Sequence, residues 1–311
     1  MPELPEVETT TRGLRKEIVG LKISDVWTDL NTKDKRKIDT VANTKYFVYF
    51  KKEVLGEKII GVERRAKNIL IKTSGDKIIL VHMKMTGHLL FGKYTKKITR
   101  IGKSEIVSWF PKKSGPLRDP YNRFIHVVFE LSGGKHLVFC DSRKFGKITL
   151  LNTKNTGSKH LKNLGPEPLE NEFNLELFKE RISKKPKGNI KTVLMDQSIL
   201  SGIGNIYSDE VLWHAGIHPK KKVAQLKEKD LQLMFKAIKK LLTKGIFFGG
   251  DSMSDYRNIY GLPGRFQLHH MAYRRTGEKC RKNKCNGVIM REIINNRSAH
   301  FCSKHQKSNG R

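Results

Sequence analysis

The hydrophobic period of this 311-residue chain changes partway along, and that change sets its fold class. Between 21 and 150 the apolar residues come in short runs: KYFVYF, KIIGVERR, NILIKT, KIILVHM, FIHVVFEL, KHLVFC and GKITLLN. Turn signals such as SGD and SGG part them, which predicts an antiparallel β-sandwich. After 170 the period becomes helical, over 173–184, 190–196, 205–214 and 224–243. The last of these places Leu226, Leu233 and Ile238 near one face, and Gly245 is its expected stop. The polar, Gly/Pro-bearing 152–170 between the two regimes suits a linker. Ahead of the β runs, 3–19 reads as a helix, with Val7, Thr11, Leu14 and Ile18 on one face. Pro2, Pro5 and the glutamates Glu3, Glu6 and Glu8 suit its first turn. The fold class is therefore α+β. Residues 92–122 look like a long, basic, partly irregular insertion between strands.

Charge narrows the partner. Lys and Arg number 62 against 30 Asp and Glu, a net +32 spread along the whole chain. Self-repulsion on that scale fits a polyanionic partner, nucleic acid before an anionic membrane surface. Residues 1–20 lack the apolar core of a signal peptide, and no apolar run approaches the roughly 18 residues of a membrane span. A soluble, cytoplasmic protein is expected.

Three of the four cysteines fall in the last 32 residues. Cys280-x4-Cys285 and Cys302-x2-His305 form two short-range pairs with 16 residues between them. Thiolates and an imidazole at that spacing suit one tetrahedral zinc with no open position, a structural site. His300 is a rival fourth ligand. Between the pairs, VIMREIINNRSAHF alternates like a hairpin turning at Asn295-Asn296, too small to fold without its metal. Cys140 lies far away in a β run, as a buried free thiol.

Three further stretches carry chemistry. DQSILSGIGNIYSDEVLWHAGIHP (196–219) holds two helical segments around Gly202-x-Gly204, the second starting at Asn205, where open N–H groups suit a phosphate. HMKMTGH (82–88) and DSRKFG (141–146) put Met85, Arg143 and Phe145 at the ends of β runs. Those side chains can wedge into a base stack. On the residues alone, the simpler reading makes Met85 and Phe145 core residues of the sandwich and Arg143 a solvated end.

Taken in order, PELPEVET, RRAK (64–67), HMKMTGH, DSRKFG, LGPEPL (164–169), the 196–219 stretch, GRFQ (264–267) and the C-terminal ligand string resemble the formamidopyrimidine-DNA glycosylases of the Fpg/Nei class. The resemblance runs from residue 2 to about 306 and leaves out mainly 92–122. It implies an N-terminal antiparallel β-sandwich with a leading helix (2–151), the linker (152–170), a helix-two-turn-helix DNA-binding domain (171–262) and a zinc-finger hairpin (263–311). It implies a bifunctional DNA glycosylase/AP lyase of base excision repair. Such an enzyme excises oxidised purines such as 8-oxoguanine and formamidopyrimidines, then cleaves the strand by β,δ-elimination. The implied partner is double-stranded DNA carrying oxidised bases or abasic sites, bound by a monomer that is nucleoid-associated if bacterial.

Carried over residue by residue, the resemblance makes Pro2 the nucleophile after removal of Met1, and Glu3 the catalytic acid. Glu6 becomes a supporting carboxylate, Lys67 a phosphate contact near the lesion, and Glu210 a carboxylate facing the catalytic end. Met85, Arg143 and Phe145 become the residues that fill the gap left by a flipped base, which displaces their reading as core. Asn205 and Tyr207 belong to the phosphate-binding segment, and Arg297 to the tip of the zinc hairpin. The chemistry is self-consistent: α-amino groups titrate at about 7.7–8.0, so a terminal amine is neutral near pH 7 more readily than a lysine. A secondary amine attacking C1′ leaves an iminium, an electron sink for the eliminations. Glu3 can protonate the ring oxygen as the sugar opens.

The sequence departs from the pattern at four places. The first metal pair is stretched to x4 and the second ends in His305. DSRKFG lacks the proline usual in DPRRFG. The 249–267 stretch looks like the lesion-capping loop of the oxidised-purine branch, but Ser254 stands where a basic residue usually precedes the Asp-aromatic pair. That substitution keeps open a Nei-type preference for oxidised pyrimidines. The insertion 92–122, with seven Lys/Arg before 114, reads either as an added DNA contact or as a solvated loop. A non-catalytic damaged-DNA-binding protein is the reading from another class, and intact Pro2, Glu3 and Lys67 argue against it.

Overall fold

The computed structural model describes residues 1–102, 104–152 and 161–307. By contacts the chain divides into two units, and the division is not linear: Met1–Ser158 groups with Gly249–Arg265, and Lys159–Phe248 with Phe266–Arg311. Residues 153–160 of the expected linker lie outside the described residues.

The first unit begins with helix α1 (Leu4–Ile18), whose N-cap is Glu3 and whose first turn carries Pro5 and Glu6. Strand β1 (Ile23–Thr28) follows, then α2 (Thr44–Val54) and the meander β2 (Ile59–Arg65), β3 (Asn68–Thr73) and β4 (Lys77–His82). Next come β5 (His88–Gly92), the pair β6 (Tyr94–Ile101) and β7 (Ser104–Pro111), and finally β8 (Ile125–Leu131), β9 (Lys135–Cys140) and β10 (Lys147–Asn152). Two antiparallel four-stranded sheets result, β1-β8-β9-β5 and β10-β4-β3-β2. Alternate residues of both sheets meet in one core: Val26, Leu89, Val127 and Phe129 from one, Val62, Ile69, Ile79 and Val81 from the other. Val7, Leu14 and Ile18 of α1 join them, as the spacing on that helix requires. Each such side chain taken out of water contributes about 1.5–3 kcal/mol.

Three local expectations are corrected. KYFVYF is not a strand but most of α2. Asn43 caps that helix by accepting from the Tyr46 N–H at 3.0 Å. Phe50 and Val54, four apart, enter the core with Tyr46 and Phe47 packed against them. The aromatic and β-branched content suggested a strand, but the cap and the 3.6 period prevailed. Strands β1 and β5 were not anticipated. The insertion is largely regular, the antiparallel ribbon β6–β7, followed by short 3₁₀ turns at Pro116–Arg118 and Pro120–Arg123. Cys140 is buried and free of disulfides, as expected.

The second unit contains α3 (Leu175–Ser183), α4 (Ile190–Met195), α5 (Asn205–Ala215) and α6 (Glu228–Phe247), then the hairpin β11 (Ile289–Ile294) and β12 (Arg297–Cys302). Helix α6 passes through the expected stop, Gly245, which is buried on its packed face, and ends before Gly249. The hairpin turns at Asn295-Asn296, whose φ of 46° and 59° asparagine tolerates better than most residues. No helix among the described residues is long and apolar enough to cross a membrane.

Candidate active site and metal centre

At the start of α1, Met1 is 44% exposed while Pro2, Glu3 and Glu6 are buried. One oxygen of Glu6 accepts the backbone N–H of Glu3 at 2.7 Å, closing the first turn onto the residue beside Pro2. The other accepts the N–H of Asp251 at 2.7 Å, and the Tyr256 hydroxyl donates to the Glu6 carbonyl at 3.0 Å. Gly250 makes this approach possible. Its φ is +86°, and a Cβ there would lie 2.8 Å from Glu6 Cγ. Burial first, then the Glu3 and Asp251 carboxylates, push the Glu6 carboxyl up to about 7, against the two donated N–H groups. It can hold or release a proton near neutral pH.

That shift has a stability consequence. A carboxyl raised from its usual 4.5 to about 7 in the folded state favours folding fully below 4.5 and loses that contribution as pH rises through 7. Replacing it with a neutral isostere removes the dependence. The stability difference between Glu6→Gln and wild type therefore moves in favour of Gln by about 3 kcal/mol between pH 4.5 and pH 8. Urea denaturation at both pH values reads this; a flat or reversed difference contradicts a raised carboxyl.

Glu8, on the same helix, has the opposite character. Burial pushes its carboxyl up, but bonds from Arg12 and Arg64, each 2.8 Å, hold it below the usual range. It anchors α1 to β2. Lys67 lies buried in the two-residue turn between β2 and β3, next to Ala66 at φ 53°. Its charge reaches His82, which burial, Lys84 and then Lys67 push down to about 3.

Met85 and Phe145 are exposed, 39% and 45%, so neither is a core residue. Asp141 ties their two loops together. It pairs with the Thr86 hydroxyl on one side and accepts the N–H groups of Arg143 (3.3 Å) and Gly146 (2.6 Å) on the other. The Arg143 guanidinium rests 4.5 Å from the Phe145 ring centre. The result is three protruding side chains on two mutually braced turns.

In the second unit, Asn205 is the first residue of α5, after Gly204 as N-cap, and its Oδ1 has no hydrogen-bond partner among the described residues. Tyr207 is fully buried and stacks on Phe266 at 4.9 Å, so it supports the turn from within. Glu210 is fully buried in α5. Its carboxylate accepts the N–H groups of Met271, Ala272 and Tyr273 at 2.8–2.9 Å. These bonds make it a strut for the chain leading into the metal hairpin, and burial pushes its carboxyl up against His270 and the three donated N–H groups.

Sequence reasoning missed a buried triad beside it. Lys191 Nζ meets Asp209 Oδ1 at 2.5 Å, and Asp209 Oδ2 accepts the His300 backbone N–H at 2.9 Å with His300 Nδ1 at 2.8 Å. The grouped ligand atoms include His305 and not His300, which faces Asp209 instead. A lysine and an aspartate within apolar helical stretches were the available signal.

Cys280, Cys285, Cys302 and His305 offer ligand atoms all within 4.8 Å of one another. His305 Nδ1 lies 3.4 Å from Cys280 Sγ and 3.7 Å from Cys285 Sγ, and the Cys285 and Cys302 sulfurs are 3.6 Å apart. Zn–S bonds of about 2.3 Å and Zn–N of about 2.0 Å require tetrahedral edges of about 3.5–3.8 Å, so the set fits zinc. The outer shell agrees: His305 Nε2 is 3.1 Å from the Trp213 carbonyl, which assigns the proton there and leaves Nδ1 for metal. Arg297 projects, exposed, from the tip of the hairpin so held.

Residues 1–148 match the family model described as the formamidopyrimidine-DNA glycosylase N-terminal domain, and 164–257 the formamidopyrimidine-DNA glycosylase H2TH domain. The formamidopyrimidine-DNA glycosylase of Herpetosiphon aurantiacus is 37% identical over 302 residues, 97% of this chain and 98% of that one. That of Carboxydothermus hydrogenoformans is 37% identical over 307 residues, 99% and 100% of the two chains. Among solved structures, Lactococcus lactis Fpg with abasic-site DNA aligns at TM-score 0.79 and 32% identity, covering 98% of this chain and 100% of that one. The wild-type enzyme of that organism with DNA containing N7-benzyl-Fapy-dG aligns at TM-score 0.79 and 32% identity over 99% and 100%.

Proposed function

The chain belongs to the formamidopyrimidine-DNA glycosylase family, and from that premise we propose that Pro2, freed by removal of Met1, is the amine through which it acts. The protein is a base-excision-repair enzyme: a DNA glycosylase for oxidised purines with AP lyase activity. Its substrate is double-stranded DNA containing such bases or abasic sites. It carries one structural zinc, which supplies the fold of the hairpin and leaves the reaction to the side chains. We further propose that it works in the cytoplasm, on the nucleoid if the host is bacterial.

In the proposed sequence the Pro2 nitrogen attacks C1′, the C1′–base bond breaks, and the base leaves with a proton. Glu3 protonates the ring oxygen as the C1′–O4′ bond opens, and the nitrogen remains cationic as an iminium. That cation draws electrons from C2′ after proton loss, expelling the 3′ phosphate, and a second elimination expels the 5′ phosphate. The observation that best supports this reading is Glu6 beside Glu3, buried and raised to about 7, where a proton must be taken and returned. Lys67 contacts the phosphate near the lesion, Asn205 and Arg297 hold the backbone, and Met85, Arg143 and Phe145 occupy the space the flipped base vacates.

Single-turnover excision on two duplexes tests the proposal, one with 8-oxoguanine opposite cytosine and one with thymine glycol, each with borohydride added. The purine lesion is expected to be removed faster, with a covalent protein–DNA adduct. Faster release of thymine glycol would move the chain to the pyrimidine preference that Ser254 raised. Strong binding with neither cleavage nor adduct would mark a non-catalytic damage binder.

A further inference from the structure

We infer that the insertion 92–122 braces the 249–265 segment, and that Arg257 is the positioning residue through which the brace fixes the rim adjoining Glu6. The ribbon β6–β7 is rooted in the first unit: Tyr94 and Trp109 pack on Leu90, Val128 and Val138, covering the outer face of their sheet. From that root the chain returns through the two 3₁₀ turns and meets the 249–265 segment. Arg257, only 6% exposed, gives Nε to Asp119 Oδ2 at 3.1 Å and lies 4.5 Å from the Tyr121 ring centre. Its NH1 donates to the carbonyls of Ser254 (3.0 Å) and Tyr256 (2.9 Å). Asp119 is itself fixed by accepting the Tyr121 N–H at 2.9 Å. Nearby, Gly261 at φ +82° lets the backbones touch, since a Cβ there would lie 2.5 Å from the Pro116 carbonyl oxygen.

The same segment is held at its other side by Glu6, through the Asp251 N–H and the Tyr256 hydroxyl. Tyr256 therefore touches Glu6 directly while its own carbonyl is gripped by Arg257. The residues between the two anchors, Met253 and Ser254, form an exposed rim. A guanidinium with its donors divided among two carbonyls and a carboxylate fixes that rim in a way an apolar plug could not. Where the family pattern has a basic side chain, this chain has Ser254, and the cation next to its backbone is Arg257.

The functional content rests on the glycosylase reading of the Pro2 site. A base turned out of the helix toward Pro2 must be held by the wall adjoining Glu6, whereas a preformed abasic site has no base to hold. Loosening the brace therefore impairs base excision and spares incision of abasic DNA. The experiment measures both single-turnover rates for wild type, Asp119→Ala, Arg257→Ala, Arg257→Lys and the double alanine variant. Misplacement of about 1 Å costs up to about a hundredfold, so excision is expected to fall at least about tenfold in each alanine variant. The double variant should be no slower than the worse single, Arg257→Lys should recover only part, and abasic incision should stay within about twofold of wild type. Unchanged excision, additive losses, or equal losses in both reactions overturn the brace. A wild type that excises no base instead removes the glycosylase reading on which it stands.

Discussion

Keeping the N-terminal amine blocked abolishes the borohydride adduct while leaving DNA binding intact. Met1 is 44% exposed whereas Pro2 behind it is buried, so a chain that retains Met1, or carries a short extension before it, keeps the packing of α1. The Pro2 nitrogen is then an amide in place of a secondary amine, and no iminium can form there. Excision and adduct formation should fall by at least on the order of 10³, the scale on which enzymes lose rate when a covalent nucleophile is removed. Affinity for an abasic duplex should change less than about tenfold, because the groups proposed to grip phosphate, Lys67, Asn205 and Arg297, remain in place. Pro2→Gly completes the test. A primary amine at that position still condenses with an aldehyde, so a weakened adduct identifies a substitute amine, while undiminished trapping in the blocked chain excludes Pro2. Intact-protein mass spectrometry must accompany each rate, since an undetected remnant of Met1 mimics the mutant.

What the sequence made legible followed from short-range physics. The helix 4–18 was visible because Val7, Thr11, Leu14 and Ile18 repeat at its period, and the hairpin turn because two adjacent asparagines favour positive φ. The metal ligands were visible because the pairs are local, and the structure decided between His305 and His300 by grouping the former with the three cysteines. KYFVYF failed for a physical reason: its composition favours a strand, and only Asn43 before it and Phe50 and Val54 after its start disclose the helix. What makes Glu6 unusual was not legible, since Asp251 reaches it from 245 residues away through a glycine that only the folded backbone shows to be required. The use of the insertion was hidden similarly. Asp119 and Arg257 are 138 residues apart, and nothing local to either announces the pairing.

Losing the metal should be the most damaging change in the second unit. A two-stranded ribbon is marginal by itself, and the small core under β11–β12 consists of Trp213, Ala272, Ile289 and two of the ligands, Cys280 and Cys302. The anchors to α5 depend on the same knuckle. His305 meets the Trp213 carbonyl, and Gln306 accepts the Cys302 N–H at 2.7 Å while donating to the Ile217 carbonyl at 2.9 Å. Structural zinc contributes about 10–16 kcal/mol of binding free energy in small fingers, which here is folding free energy of the hairpin. Cys285→Ser should therefore lower zinc from one per chain to none and weaken binding to abasic duplex by at least about a hundredfold. Arg297→Ala, with the metal retained, should weaken binding evenly across sequences and reduce the salt slope by about one. His305→Cys should keep both metal and affinity, because a thiolate satisfies the same tetrahedral corner. Metal analysis with binding measured across a salt series separates these cases. A Cys285→Ser protein that holds one zinc and binds as wild type would show that the four side chains are not the site. Loss of zinc without loss of affinity would remove Arg297 and its hairpin from the DNA-gripping surface.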